Sequence, residues 1–96
     1  MKTYRLIFSV KFKNRLVVIA GYIYESSKSA EITKRHIASI KSSIQILKNF
    51  PLIGREAVEF GVDIRKLVVL DYTLLYSINE SEERIEILNI FRENLP

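Results

Sequence analysis

The hydrophobic pattern of this chain changes period twice, and that change constrains the fold more than any single residue does. Residues 4–9 alternate, with Tyr4, Leu6 and Phe8 on one side and Arg5, Ile7 and Ser9 on the other, as a half-buried strand requires. From residue 10 to about residue 25 the period lengthens: Phe12, Leu16, Ile19, Ala20 and Ile23 share one helical stripe, while Lys11, Lys13 and Arg15 lie off it. The polar run Glu25-Ser26-Ser27-Lys28-Ser29 interrupts that stripe. Ser29 is then placed to cap a second helix with Glu31 in its first turn. Its apolar face runs through Ala30, Thr33, Ile37, Ile40, Ile44 and Leu47, and Lys34, Arg35, Lys41, Gln45 and Lys48 occupy its other sides. So short a connection makes the two helices an antiparallel hairpin.

Phe50-Pro51 stops the second helix, because proline disfavours helical backbone in the residue before it and donates no amide of its own. A loop through Gly54-Arg55-Glu56 to Gly61 follows. The period then shortens again over residues 64–70, 72–78 and 84–91, three segments dense in Val, Ile, Leu and Tyr, with reversals at Asp71 and at Asn79-Glu80-Ser81-Glu82-Glu83. The order β-α-α-β-β-β implies an α+β two-layer sandwich, a helical hairpin packed on an antiparallel sheet. Ninety-six residues suffice for one modest core, so residues 1–96 are expected to form one domain.

The chain has no cysteine, which removes disulfides and thiolate metal sites, and its one histidine, His36, cannot form a zinc set alone. Gly21, Gly54 and Gly61 are too widely spaced for a phosphate-cradling loop, so no cofactor is expected. Charges thread the apolar residues of MKTYRLIFSVKFKNRL, which therefore reads as part of the fold rather than as a secretory leader. The longest strictly aliphatic block runs only from Leu67 to Leu70, far short of a membrane span; a soluble, cytoplasmic protein with no membrane partner is the expectation. The net charge of +4 hides a division. Residues 1–48 carry ten Lys/Arg against Glu25 and Glu31, giving +8, and residues 49–96 carry five against nine acids, giving −4. A basic half suits phosphate backbones or an acidic partner protein, though many small basic domains bind neither.

Four pieces in order, Phe50-Pro51-Leu52-Ile53-Gly54-Arg55, Asp63-Ile64-Arg65-Lys66-Leu67-Val68-Val69, Tyr72-Thr73-Leu74-Leu75-Tyr76-Ser77-Ile78 and Arg84-Ile85-Glu86-Ile87-Leu88, resemble RelE/ParE toxins of type II toxin–antitoxin systems, also known as plasmid stabilisation proteins. No piece is specific alone; their order and spacing on this element order carry the resemblance, which spans almost the whole chain. It implies a toxin neutralised by a cognate antitoxin from a neighbouring gene. It also implies one of two targets: DNA gyrase, poisoned on its DNA, or messenger RNA cleaved at the ribosome. The two branches share the fold, so fold does not choose between them.

Metal-free RNA cleavage needs a base, an acid and cations on the phosphorane. Arg65 stands where the resemblance places an arginine and could hold a phosphate on its planar fork, or else bridge to Asp63, Glu59 or Asp71. Several relatives carry His or Tyr near the end of the last strand. This chain has Phe91, which cannot titrate, followed by Arg92, which is too basic to shuttle protons. Tyr76, with Tyr72 four residues earlier on the same sheet face, is the other candidate, although a half-buried sheet surface favours tyrosine in any case. Arg65, Arg92 and Tyr76 are thus the catalytic set only if the chain is a nuclease, and the weakness of that set favours the gyrase branch. Arg55, Arg65 and Lys66 are the candidates for target or nucleic-acid contact, with Lys34, Arg35, Lys41 and Lys48 as further cations or simply a solvated face. His36 sits on the flank of its helix, where a partly buried structural role is expected. Val17, Val18 and Tyr22 fall outside the stripe that the sheet can cover, and an antitoxin helix or strand, or a second copy in a homodimer, would cover them.

Overall fold

The computed structural model describes residues 2–92. Strand β1 (Arg5–Phe8) leads into α1 (Val10–Ser27) and α2 (Ala30–Ile46). A loop carries the two-residue strand β2 (Arg55–Glu56) and a 3-10 turn (Val58–Phe60). The chain then meanders through β3 (Arg65–Val69), β4 (Tyr72–Asn79) and β5 (Arg84–Phe91). One five-stranded sheet results, in the order β1-β5-β4-β3-β2. The fold class is the expected one, α+β with two helices on one sheet face.

Two features differ from the sequence expectation. The sheet is mixed, because β1 lies parallel to β5, with Arg5 opposite Arg84 and Phe8 opposite Ile87. A parallel neighbour needs a long crossover, and here nearly the whole chain lies between the two strands. The second difference is β2, which pairs Arg55 with Lys66 and Glu56 with Arg65. Two charged residues leave no period to read.

Serines start both helices. The Ser9 hydroxyl accepts from the Phe12 amide at 3.0 Å, and that of Ser29 from the Ile32 amide at 3.1 Å. Between the helices Lys28 takes the left-handed conformation, φ 54°, and closes α1. Ser9 does a second job: its hydroxyl donates to the Leu88 carbonyl at 2.7 Å. There β5 carries an extra residue, since Tyr76 opposes Ile87 but Leu75 opposes Asn89. The bulge switches the inward face, so Ile85 and Ile87 are buried before it and Ile90 after it. Ser9→Ala removes the cap and leaves the bulge carbonyl without its partner. It is expected to cost about 1–2 kcal/mol, measurable as a lowered urea midpoint at unchanged slope.

The core lies between the helices and the sheet. Phe12, Ile19 and Ile23 from α1 and Ile40, Ile44 and Leu47 from the second helix and its end meet Tyr72, Leu74, Tyr76, Ile85, Ile87 and Ile90. Tyr4, Leu6 and Phe8 face the same way, as their alternation predicts. His36 departs from its expected place. It is exposed on α2 with Nδ1 3.0 Å from the Ile32 carbonyl, because the stripe through Ile40 and Ile44 is too narrow to cover its flank. Among the described residues no helix is long and apolar enough to cross a membrane.

Candidate functional site

Arg65 pairs with Tyr76 across β3 and β4, so both point to the helix side of the sheet. There they hold the loop that follows α2. The Tyr76 hydroxyl donates to the Pro51 carbonyl at 2.7 Å and accepts from the Gly54 amide at 3.0 Å. Arg65 Nε donates to the Gly54 carbonyl at 2.9 Å, and one Nη reaches the Leu52 carbonyl at 3.5 Å. Its other Nη lies 3.8 Å from Glu56, so its acidic neighbour is none of Asp63, Glu59 or Asp71. Tyr76 is wholly buried, and burial pushes its phenol above the ordinary value, with the Gly54 amide and the Arg65 guanidinium drawing it part of the way back. Arg65 and Tyr76 together form a latch on residues 51–54.

Lys66, one residue on, points to the opposite face. Its ammonium lies 5.9 Å from the centre of the Phe60 ring, and Phe60 lies 5.6 Å from Phe91. Arg55 is the register partner of Lys66 and shares that face. Its guanidinium is engaged by Glu59 at 2.8 Å and by the Glu56 carbonyl at 2.7 Å, and the Arg55 hydrogen bond holds the Glu59 carboxyl below its usual range. Of the three residues named for target contact, Arg55 and Lys66 therefore come together and Arg65 does not. Sequence reasoning passed over Phe60; the signal was an aromatic residue in the loop just before Gly61.

Arg92 lies elsewhere again. It follows Phe91, which pairs with Thr73, whereas Arg65 pairs with Tyr76, three residues along β4. That separation is roughly 10 Å of strand. Arg92 sits 3.9 Å from Asp71 and lines a cleft with Arg15, Val18, Tyr22 and Tyr72. Glu93 and Asn94, which follow it in the tail, lie outside the described residues. The structure thus joins Arg65 with Tyr76 and separates both from Arg92. Tyr72, like Tyr76, faces the core, and burial raises its phenol pKa.

Val17, Val18 and Tyr22 are exposed, at 73%, 64% and 57%. They split between two sides of α1. Val17 lines a groove of about 540 Å³ between the helices, floored by Phe8, Phe12, Leu16, Ile37 and Ile44 and rimmed by Lys13 and Lys41. Val18 and Tyr22 line the cleft beside Arg92. On α2, Arg35 is paired with Glu31 at 3.0 Å. Lys48, beside β1, stands at the sheet edge opposite to Arg55, about 19 Å away across four strand spacings, so these two cations make no single surface. Among the described residues no three of His, Asp and Glu converge as metal ligands.

This two-layer sandwich also occurs in solved toxin–antitoxin systems. The chain superposes with a TM-score of 0.80 on a chain of the chromosomal ParDE toxin–antitoxin system from P. aeruginosa, at 17% identity, covering 96% of this chain and 98% of that one. The RelBE2 toxin–antitoxin complex from Mycobacterium tuberculosis gives a TM-score of 0.66 at 18% identity over 95% and 99% of the two chains. The archaeal RelE–RelB complex from Pyrococcus horikoshii gives 0.63 at 19% identity over 98% and 99%. No curated protein sequence matches. The model of one family, the ParE toxin of the type II toxin–antitoxin system parDE, matches residues 6–94, and the chain belongs to that family.

Proposed function

We propose that this ParE-family toxin arrests growth by binding DNA gyrase and trapping it on DNA, with no bond-breaking chemistry of its own, and that a cognate antitoxin neutralises it. The state of the candidate acid–base groups carries this reading. Tyr76 has its hydroxyl engaged on both sides by the loop, Arg65 holds backbone carbonyls, and Arg92 is remote from both. His36 is on the outer surface of α2. Cleavage of RNA would need a base and an acid within hydrogen-bond reach of one phosphate, and these residues do not offer such a pair. A binding toxin needs neither. The groove between α1 and α2 suits the antitoxin: apolar on its floor and lysine-rimmed, it matches an acidic amphipathic segment.

One observation favours a second reading. The Lys66-Phe60-Phe91 cluster puts a cation and aromatic rings on the sheet face away from the helices, a chemistry suited to bases and phosphates, as in a ribosome-dependent endoribonuclease. Induced expression in bacteria separates the two when messenger RNA integrity and the DNA-damage response are followed together. Intact RNA with a damage response is expected, along with gyrase–DNA cleavage complexes in vitro. Rapid RNA cleavage without a damage response overturns the proposal, and normal growth with neither would mean that the fold has lost its toxicity.

A further inference from the structure

The cleft between α1 and the end of β5 has about 270 Å³ and two kinds of wall. Val18 supplies exposed aliphatic surface, with the core residues Ile19 and Ile90 behind it. Arg15, Arg92, Tyr22 and Tyr72 bring two guanidinium groups and two phenols to the same hollow. These polar groups are under-used within the chain. Arg15 has no ion pair among the described residues, and Arg92 has only Asp71 at 3.9 Å, whose side chain is 81% exposed. Such a contact contributes little. Tyr72 is 7% exposed, yet its hydroxyl has no hydrogen-bond partner among the described residues and is not sealed from solvent. A buried tyrosine normally finds a partner for its hydroxyl; here one is left facing the opening.

Two guanidinium forks and a hydroxyl donor fit one anionic group of two or three oxygens. The surroundings choose which. A nucleic-acid strand repeats its charge along its length and needs a track of free cations, but Asp71 lies 3.9 Å from Arg92 and Glu25 lies one turn beyond Tyr22 on α1. A second copy of this chain is disfavoured too. Helix α1 carries Lys11, Lys13 and Arg15 against Glu25, 3 − 1 = +2, and two such helices face to face repel. What remains is an isolated carboxylate beside an aliphatic side chain on an acidic polypeptide.

We infer that this cleft is an antitoxin-docking point distinct from the groove between the helices, in which Arg15, Arg92 and the Tyr72 hydroxyl hold an Asp or Glu side chain of the antitoxin, and Val18 with the Tyr22 ring holds the apolar residue next to it. The inference rests on the antitoxin partner proposed above. One antitoxin then reaches both sides of α1, and Val17 on one side and Val18 with Tyr22 on the other are covered by the same chain.

The test measures binding of the full-length antitoxin from the neighbouring gene to the full-length toxin by calorimetry. The variants are Arg15→Glu/Arg92→Glu together and, separately, Tyr72→Phe, each first checked for a wild-type circular dichroism spectrum. The double reversal is expected to weaken binding at least about 100-fold, and Tyr72→Phe, which leaves the ring in place, about tenfold. In a second arm each Asp and Glu of the antitoxin is changed to Lys, and one such change is expected to restore affinity for the double variant. Absence of any binding by the wild-type toxin refutes the antitoxin partner itself. Tight wild-type binding unaffected by the double reversal refutes the cleft alone. Loss of affinity for a short single-stranded or duplex oligonucleotide, with antitoxin binding intact, gives the cleft to nucleic acid and overturns the assignment. A wild-type dimer in sedimentation that the double reversal dissociates gives it to a second copy and also overturns it.

Discussion

Replacing Gly54 by alanine is expected to destabilise the fold by about 3 kcal/mol or more. A methyl group built on Gly54 would meet the Lys66 backbone carbonyl at 2.5 Å and the Tyr76 hydroxyl and ring at 2.7 and 2.8 Å. Neither neighbour can give way, since Lys66 is fixed in β3 between two paired strands and Tyr76 is wholly buried. The loop must therefore lift away. In doing so it breaks the Gly54 amide bond to Tyr76 and the Gly54 carbonyl bond from Arg65. For a domain of this size about 3 kcal/mol is a drop of roughly 12–24 °C in Tm. Gly21 makes the internal control. It lies inside α1 with open space around its Cβ position, so Gly21→Ala should stabilise by about 0.5–1 kcal/mol through helix propensity alone. A Gly54→Ala variant that melts within a degree or two of wild type would mean that the latch on residues 51–54 is loose.

Much of this architecture was legible because it is periodic. Both helices and the three long strands follow from spacing, with ends off by one or two residues. The bulge in β5 left a trace that the reading of residues 84–91 as one plain strand passed over: Ile85 and Ile87 keep a period of two, and Leu88-Asn89-Ile90 breaks it. Pairings between distant segments were not legible. The direction of β1 relative to β5 depends on how the intervening elements stack, and β2 exists only because Arg65 and Lys66 are there to pair with. Among the site residues the same boundary applies. That Val17, Val18 and Tyr22 would be exposed follows from helical angle alone, but that they face two different recesses depends on α2 and β5. The partners of Arg65 were sought among nearby acids, whereas the real ones are mainly carbonyls of a loop ten or more residues upstream. A guanidinium takes carbonyl and carboxylate acceptors alike, and composition cannot tell which will be brought to it.

Tyr76→Phe is expected to cost about 3 kcal/mol while preserving the shape of the core. The ring stays, but the Pro51 carbonyl loses its donor and the buried Gly54 amide is left without an acceptor. The pH dependence identifies the mechanism. Burial raises the Tyr76 pKa above its ordinary value of 10.0. Below that value the phenol is neutral in both folded and unfolded chains, and its contribution to stability is complete. Above it the unfolded chain releases a proton that the folded chain still holds, so stability falls as pH rises toward the folded pKa. Phenylalanine has no proton to release, and the alkaline decline of the variant should be shallower. It should not vanish, because Tyr72, through burial, and Tyr4, through its hydrogen bond to Glu80, have raised values as well. The same substitution bears on function. As a proton donor in RNA cleavage, Tyr76 would take toxicity with it even at temperatures where the variant is fully folded. As part of a latch in a binding toxin, it leaves toxicity per folded molecule close to wild type in the cold, and toxicity disappears only as the variant melts. Growth arrest measured at two temperatures, alongside urea unfolding from pH 7 to 11, distinguishes a structural tyrosine from a chemical one.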